Sequence, residues 1–191
     1  MTRGQVAGLL AVALLLTGCA SQSTPVADER PAQRPPAVGP CPELPRAQPV
    51  EGGLPAFTLP CLGDGPDVRL SDLRGVPTVV NVWAAWCTTC ATEMPRFAEA
   101  VTHYGERVRF FGIHYKAARG AGLASQGDFG VPFPSVHDED GDRIVRALGA
   151  YAPPQTFFVD AAGTVVGREI GEITSQREMT KLVEQYLGVG A

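Results

Sequence analysis

Residues 79–95 read VVNVWAAWCTTCATEMP, and the rest of the chain is organised around this stretch. Apolar, strand-forming residues run as far as Trp83, and a Cys-x-x-Cys pair, Cys87 and Cys90, follows shortly afterwards. Beyond the pair, the apolar spacing becomes that of a helix. We therefore predict a buried strand that leads to a dithiol at the start of a helix.

This dithiol is suited to disulfide exchange. At the first turn of a helix, unpaired backbone N–H groups and the helix dipole favour negative charge, so we expect Cys87 to ionise more easily than a free thiol. The thiolate is the attacking species, and Cys90 lies one turn later on the same face. The sequence thus predicts Cys87 as the nucleophile and Cys90 as the resolving thiol.

The same stretch, WCTTC followed by ATEMP and preceded by VVNVWAA, resembles the active-site signature of the TlpA/ResA-like extracytoplasmic thioredoxin family. Similarity is visible from about Leu54 to Leu187. The resemblance implies a thioredoxin-like α/β fold of three layers, in which helices flank a central mixed β-sheet, with a β extension at the N-terminus. It also implies that Trp86 borders the thiols and that Glu93 tunes their acidity.

A second informative stretch is PPQTFFVD, residues 153–160. It predicts a strand at 156–159 that forms a hairpin with residues 165–170. A proline before a strand can be a simple edge residue. The resemblance instead implies that Pro154 is the cis-proline that lies opposite the dithiol and binds the substrate backbone. Pro153 departs from the family pattern, because it has no N–H to offer a substrate.

The remaining pattern predicts short strands at 57–59 and 68–70, followed by the buried strand at 78–83. The helix after the dithiol should end near Gly105, and a second buried strand should cover 108–114. Three glycines predict that any helix within 117–129 is short or frayed. Further helices are predicted at 143–148 and 175–187.

The N-terminus has the pattern of an export signal. Arg3 precedes an apolar run from Val6 to Leu16, which is too short to span a bilayer comfortably and ends in Leu-Thr-Gly-Cys. This ending resembles the bacterial lipobox, which implies a signal peptide over residues 1–18 and lipidation of Cys19. A plain signal peptide and an uncleaved anchor are the alternatives.

Residues 19–50 are rich in proline and have no hydrophobic period, so we predict a tether rather than a folded segment. In an extended polyproline conformation, residues 20–39 span up to about 60 Å. The predicted domain then covers residues 51–191.

The five cysteines support export. With Cys19 assigned to lipid and Cys87 and Cys90 to the dithiol, Cys41 and Cys61 remain. We predict that these two form a structural disulfide, which would close a loop of about twenty residues and contribute roughly 3 kcal/mol to stability. The alternative is that both are unpaired or that they bond to other chains.

Composition and charge argue against several other classes of protein. A net charge of −4, without a cluster of Lys and Arg, is unlike a nucleic-acid interface or a polybasic membrane surface. The acidic run 138–142 lacks the spacing of a calcium-binding EF-hand loop and predicts a turn. His103, His114 and His137 are scattered, so we predict no metal site and assign them to the surface or to packing.

We therefore expect a thiol–disulfide oxidoreductase that acts on protein thiols and disulfides and uses no cofactor, because the dithiol carries the electrons. The resemblance implies a reductase, and with the lipobox-like ending we expect a monomer that is lipid-anchored on the extracytoplasmic face of a bacterial cytoplasmic membrane, or else secreted. Its common substrates would be the haem-attachment cysteines of apocytochrome c. A membrane protein such as a CcdA/DsbD-like donor would supply the electrons.

Alternative functions remain open at this point. An oxidase that donates its disulfide to secreted proteins differs only in reduction potential, and about 30 mV corresponds to 1.4 kcal/mol. A copper chaperone of the same fold would carry Cys-x-x-x-Cys and a distal His ligand, whereas only two residues separate these cysteines. A peroxiredoxin would place its cysteine after a Thr-rich motif instead of a Trp.

Overall fold

The computed structural model of the protein describes residues 39–190. Its strands are β1 (Thr58–Leu59), β2 (Val68–Arg69), β3 (Thr78–Trp83), β4 (Arg109–Tyr115), β5 (Ser135–Asp138), β6 (Gln155–Val159) and β7 (Val165–Ile170). Its α-helices are α1 (Thr88–Tyr104), α2 (Arg119–Asp128), α3 (Asp142–Leu148) and α4 (Gln176–Leu187). Short 3-10 turns lie at Leu70–Asp72 and Gly105–Arg107.

One five-stranded sheet forms the centre of the domain, in the order β5-β4-β3-β6-β7. β3 and β4 are parallel, as are β4 and β5, whereas β6 is antiparallel to both β3 and β7. β1 and β2 form a separate antiparallel pair. This arrangement confirms the predicted central mixed sheet, flanked by helices and preceded by a β extension.

β3 is the central strand of the sheet, and every one of its residues is buried, most of them apolar. Val79 and Trp83 pack with residues of α1 and α4 on one face. Val80 and Val82 pack with residues of the β1–β2 hairpin and α3 on the other face. The bounds of β3 agree with the sequence prediction. Because the dithiol follows directly, the candidate site lies at the carboxyl end of this strand.

Two elements differ from the sequence predictions. β5 was not predicted, because it has only four residues between Pro134 and an acidic turn. α2 runs for ten residues, although its glycines predicted a short or frayed helix. Gly122 accounts for part of this difference: a Cβ at this position would lie 2.5 Å from Cε1 of His114, so glycine allows α2 to pack closely on β4.

The segment before β1 is fastened to the domain by a covalent bond and a buried carboxylate. Cys41 and Cys61 form a disulfide with an S–S distance of 1.96 Å, and both residues are buried. The side chain of Asp72, also buried, accepts a hydrogen bond from the backbone N–H of Ala47 at 3.1 Å. The last residues of the predicted tether are therefore held against the first strands.

The predicted signal peptide, the lipidation site Cys19 and most of the predicted tether lie outside the described residues. None of the helices within residues 39–190 combines the length and the hydropathy that a membrane-spanning helix requires.

Candidate functional site

The dithiol lies between the end of β3 and the start of α1. Cys87 is the N-cap residue of α1, with an extended backbone (φ −93°, ψ 100°). Its Sγ accepts a hydrogen bond from the backbone N–H of Cys90 at 3.1 Å, the contact that a Ser or Asp side chain makes at an ordinary N-cap. The two sulfurs are joined at 2.04 Å. Cys90 is completely buried and Cys87 is 5% exposed, so a substrate reaches the sulfur of Cys87 first.

Glu93 is a completely buried carboxyl group on the same helix. Its Oε1 accepts a hydrogen bond from Nδ2 of Asn81 at 2.9 Å, and its Oε2 accepts one from the backbone N–H of Ile173 at 3.2 Å. Burial raises the pKa of Glu93 from 4.5 to about 7; these two hydrogen bonds oppose the rise, and nearby Glu172 adds to it. Glu93 therefore exchanges its proton near neutral pH.

Asn81 is the residue of this site that the sequence analysis missed. It is a polar side chain in the middle of the mostly apolar strand β3, and this unusual position could have identified it as a candidate site residue from the sequence alone. Besides Glu93, its Nδ2 contacts Oγ1 of Thr156 on β6 at 3.2 Å. Its Oδ1 is buried and has no hydrogen-bond partner among the described residues. Because an amide carries both a donor and an acceptor, Asn81 can bond either the carboxylate or the protonated form of Glu93.

Trp86 forms an exposed border of the dithiol. Its side chain is 56% exposed, and its indole N–H donates to the backbone carbonyl of Lys116 at 2.9 Å. The Trp86 ring also lies edge-on to that of Tyr115, with 6.4 Å between the ring centroids. Trp86 thus lies beside the thiols, as predicted, and contacts with Tyr115 and Lys116 at the end of β4 fix the orientation of its indole ring.

Pro154 directly precedes β6 on the other side of the site, and the Pro153–Pro154 peptide bond is cis. Gln155 pairs with Val82 of β3, so Pro154 is level with Trp83, close to where the chain turns towards the dithiol. Tyr151, three residues before Pro154 in the chain, has a side chain that is 75% exposed. The structure therefore brings Cys87, Cys90, Trp86, Glu93 and Pro154 to the carboxyl end of β3.

Comparisons with known proteins fit this geometry. Residues 50–168 match the AhpC/TSA family model. The chain belongs to the AhpC/TSA family. It is 36% identical to the thiol:disulfide interchange protein DsbE of Pseudomonas fluorescens biotype C over 135 residues, 70% of this chain and 73% of that protein. DsbE of Pseudomonas aeruginosa is 33% identical over 152 residues, which cover 76% and 81% of the two chains.

Solved structures of family relatives share the fold. The chain superposes on DsbF of Mycobacterium tuberculosis with a TM-score of 0.61 and 31% identity, over 70% of this chain and 98% of that one. A secreted M. tuberculosis disulfide oxidoreductase homologous to Escherichia coli DsbE gives a TM-score of 0.58 and 27% identity, over 68% and 96%. The predicted thioredoxin-like fold is confirmed, and the protein is a thiol–disulfide oxidoreductase that acts on protein thiols.

The Cys41–Cys61 disulfide lies apart from the dithiol of this oxidoreductase. Cys61 forms a β-bridge with Val136 of β5, which is separated from β3 by β4. The second disulfide thus joins the N-terminal segment to the edge of the sheet, while the Cys87–Cys90 pair lies at its centre.

The sequence suggested that the three histidines are scattered, but the structure brings two of them together. His114 on β4 and His137 on β5 are paired in register, and their Nδ1 atoms lie 3.0 Å apart. Both are buried, and burial lowers the pKa of each, that of His114 to about 4. Among residues 39–190, no group of three or more His, Cys, Asp or Glu is placed to hold a metal ion.

Proposed function

We propose that this oxidoreductase is a reductase of protein disulfides outside the cytoplasm and that it belongs to the TlpA/ResA-like branch of its family. The observation that carries the proposal is the buried Glu93 beside the dithiol. Cys90 and Glu93 are three residues apart on α1, a spacing that makes side chains neighbours on a helix. Both are completely buried, so each affects the charge state of the other at low dielectric.

The charge on Glu93 favours a reducing dithiol. A carboxylate next to a thiol opposes formation of the thiolate, because two negative charges would then share one buried site. A strongly oxidising dithiol owes its high potential to a stabilised reduced form. Glu93 acts in the opposite sense, since it destabilises the thiolate and so favours the disulfide. A dithiol that is more stable as a disulfide gives up its electrons to a substrate.

The reaction proceeds through a mixed disulfide. The Cys87 thiolate attacks one sulfur of the substrate disulfide, and the other substrate sulfur leaves as a thiolate. The Glu93 carboxylate then takes the proton of the Cys90 thiol. The resulting Cys90 thiolate attacks Sγ of Cys87 and displaces the second substrate sulfur. Two electrons have passed to the substrate, the Cys87–Cys90 disulfide has formed, and no bound cofactor takes part. A Glu93 pKa of about 7 suits this transfer.

The reduction potential of the dithiol tests the proposal. We expect a value near or below that of thioredoxin, about −270 mV, for a chain that lacks residues 1–19 and is equilibrated in defined redox buffers. Glu93→Gln should raise the potential and alter the titration of Cys87. Glu99→Gln, which changes an exposed carboxylate of the same helix, should leave both unchanged. A wild-type value near −120 mV would make the protein an oxidase for secreted proteins.

The substrates that we propose are the paired haem-attachment cysteines of apocytochrome c, and the electrons would come from a CcdA/DsbD-like membrane protein. The resemblance to TlpA/ResA-like proteins and the similarity to DsbE proteins support this assignment. A Cys90→Ser variant cannot resolve its mixed disulfide and should retain the substrate, which mass spectrometry would identify. Capture of other secreted proteins, without apocytochrome c, would contradict the assignment.

We propose that the monomeric domain (51–191) is held at the extracytoplasmic face by lipid on Cys19, after removal of residues 1–18, and by the tether over 19–50. The lipobox-like ending and the secreted relative support this location. Cys19→Ser should abolish incorporation of a labelled fatty acid and release the protein from membranes. A wild-type chain without fatty acid would contradict the anchor, and light scattering would test the monomer.

A further inference from the structure

We infer that Arg168 on β7 is a positioning residue for the substrate: its guanidinium fastens both ends of the loop 149–154, which presents Tyr151 and Pro154 to the incoming polypeptide. This inference deepens the proposed function, because it concerns how the same site docks its polypeptide. The loop connects α3 to β6 and ends at Pro154, level with the end of β3. A polypeptide that offers its disulfide to Cys87 therefore meets this loop.

A single side chain closes the loop at its two ends. At the start of the loop, Nη1 of Arg168 donates to the carbonyl oxygen of Leu148 at 3.2 Å, and Nη2 donates to that of Gly149 at 2.9 Å. At the end of the loop, Nε donates to Oε1 of Gln155 at 3.1 Å, and Nη2 also contacts this oxygen. The planar fork of an arginine can make all these contacts together, whereas the point charge of a lysine cannot.

The middle of the loop is held by separate contacts. The Tyr115 hydroxyl donates to the carbonyl oxygen of Tyr151 at 3.0 Å, and Nε2 of Gln155 donates to that of Ala152 at 2.7 Å. These bonds fix the backbone and leave the Tyr151 side chain exposed. Because the Tyr115 ring also packs against Trp86, it joins the two borders of the site.

Arg168 bonds to a neutral side chain, Gln155, and not to a carboxylate, which indicates that its contacts serve to order the loop. Arg168 is half-buried, and within residues 39–190 it forms no ion pair. Its charge is offset by carbonyl groups at the C-terminal end of α3 and by the Phe157 ring, 5.1 Å below the guanidinium. The Gln155 amide accepts from Arg168 and donates to Ala152, two roles that a carboxylate cannot combine.

Steady-state kinetics with a cysteine-linked peptide disulfide, on the full chain in detergent, test the inference. Arg168→Gln and Arg168→Lys should raise the KM for the peptide about tenfold, equivalent to ~1.4 kcal/mol, with kcat nearly unchanged. Arg146→Gln removes the same charge from an exposed position on α3 and should leave KM unchanged. The reduction potential and the rate of alkylation of the reduced dithiol by iodoacetamide should not change in any variant, because neither requires docking.

An unchanged KM in folded Arg168→Gln would overturn the inference. An equal loss of iodoacetamide reactivity would do the same, since it would mark a general disturbance of the site. If neither Arg168 variant folds, Gln155→Leu replaces them: it removes the acceptor through which Arg168 holds the end of the loop, and should raise KM about threefold, or ~0.7 kcal/mol. An unchanged KM in this variant would also refute the inference.

Peptide reduction and peptide oxidation are both measured, because the loop docks a polypeptide in either direction. If the protein oxidises the peptide but does not reduce it, the proposed reductase function is refuted, and the comparison of KM values still tests the role of Arg168. A wild-type protein that acts on the peptide in neither direction would refute both.

Discussion

Glu93→Gln should change how the stability of the protein depends on pH. The pKa of Glu93 is about 7 in the folded protein against an ordinary value of 4.5, so the folded protein holds a proton that the unfolded chain releases at lower pH. The contribution of this group to the free energy of unfolding is therefore greatest below pH 4.5 and is lost as the pH rises through 7. The pKa difference (7 minus 4.5) corresponds to roughly 3 kcal/mol, most of which falls between pH 5 and pH 8.

Chemical denaturation at pH 5 and pH 8 measures this contribution. The oxidised protein is used, because disulfide-bonded cysteines do not titrate. Between the two pH values, the wild type should lose about 2–3 kcal/mol more of its free energy of unfolding than Glu93→Gln loses. Any cost of the new amide facing Asn81 or Ile173 is independent of pH and cancels from this difference. Glu99→Gln, on the exposed side of α1, should behave as the wild type does.

Equal pH dependence in Glu93→Gln and the wild type would refute the reasoning. It would mean that Glu93 is already ionised in the folded protein at pH 5, in spite of its burial. A carboxylate with so low a pKa would be a weak acceptor for the thiol proton of Cys90 at neutral pH. The role of Glu93 in the resolving step would then lose its physical basis.

Other perturbations test the packing around the site and the docking of the substrate. Gly122→Ala should destabilise the protein by about 1–3 kcal/mol in thermal unfolding, because its Cβ would overlap His114, whereas Gly120→Ala meets no neighbour and should stabilise α2 by up to ~1 kcal/mol. The pKa of His114 is lowered to about 4, so the folded protein favours the neutral ring, and its free energy of unfolding should fall as the pH drops from 6.5 to 4. His114→Asn should lessen this fall, whereas His103→Asn, at an exposed position, should not. Pro153→Ala supplies the missing N–H and should lower the KM for a peptide disulfide about fivefold, while unchanged kinetics would show that no substrate bond is lost there.

Local sequence patterns were sufficient for the elements that place the site. The continuous apolar run of β3, the helical spacing after Cys90 and the turn before β7 each specify one element. β5 was missed because four residues between a proline and an acidic turn carry too little pattern. The length of α2 was underestimated because propensity counts each glycine as a cost. It ignores the close contact between Gly122 and His114 that only glycine allows.

The candidate site was predictable where its chemistry is local in sequence. Cys87, Cys90 and Glu93 lie within seven consecutive residues, so their proximity follows from helix geometry alone. The partners of Glu93 are brought to it by tertiary structure: Asn81 comes from β3, and Ile173 comes from the segment after β7. No spacing rule relates these positions, and the burial that raises the pKa of Glu93 exists only in the folded domain.

The loop 149–154 shows why a fixed backbone matters at this site. Pro153 and Pro154 have no backbone N–H, and the carbonyl oxygens of Tyr151 and Ala152 are already bonded within the protein. The loop therefore has few backbone groups left to pair with a substrate, and recognition depends more on the shape of its surface and on the exposed Tyr151 ring. A surface of fixed shape binds without the entropy cost of ordering a loop. Arg168 lowers this cost before the substrate arrives, which explains why a half-buried cation is kept beside neutral partners.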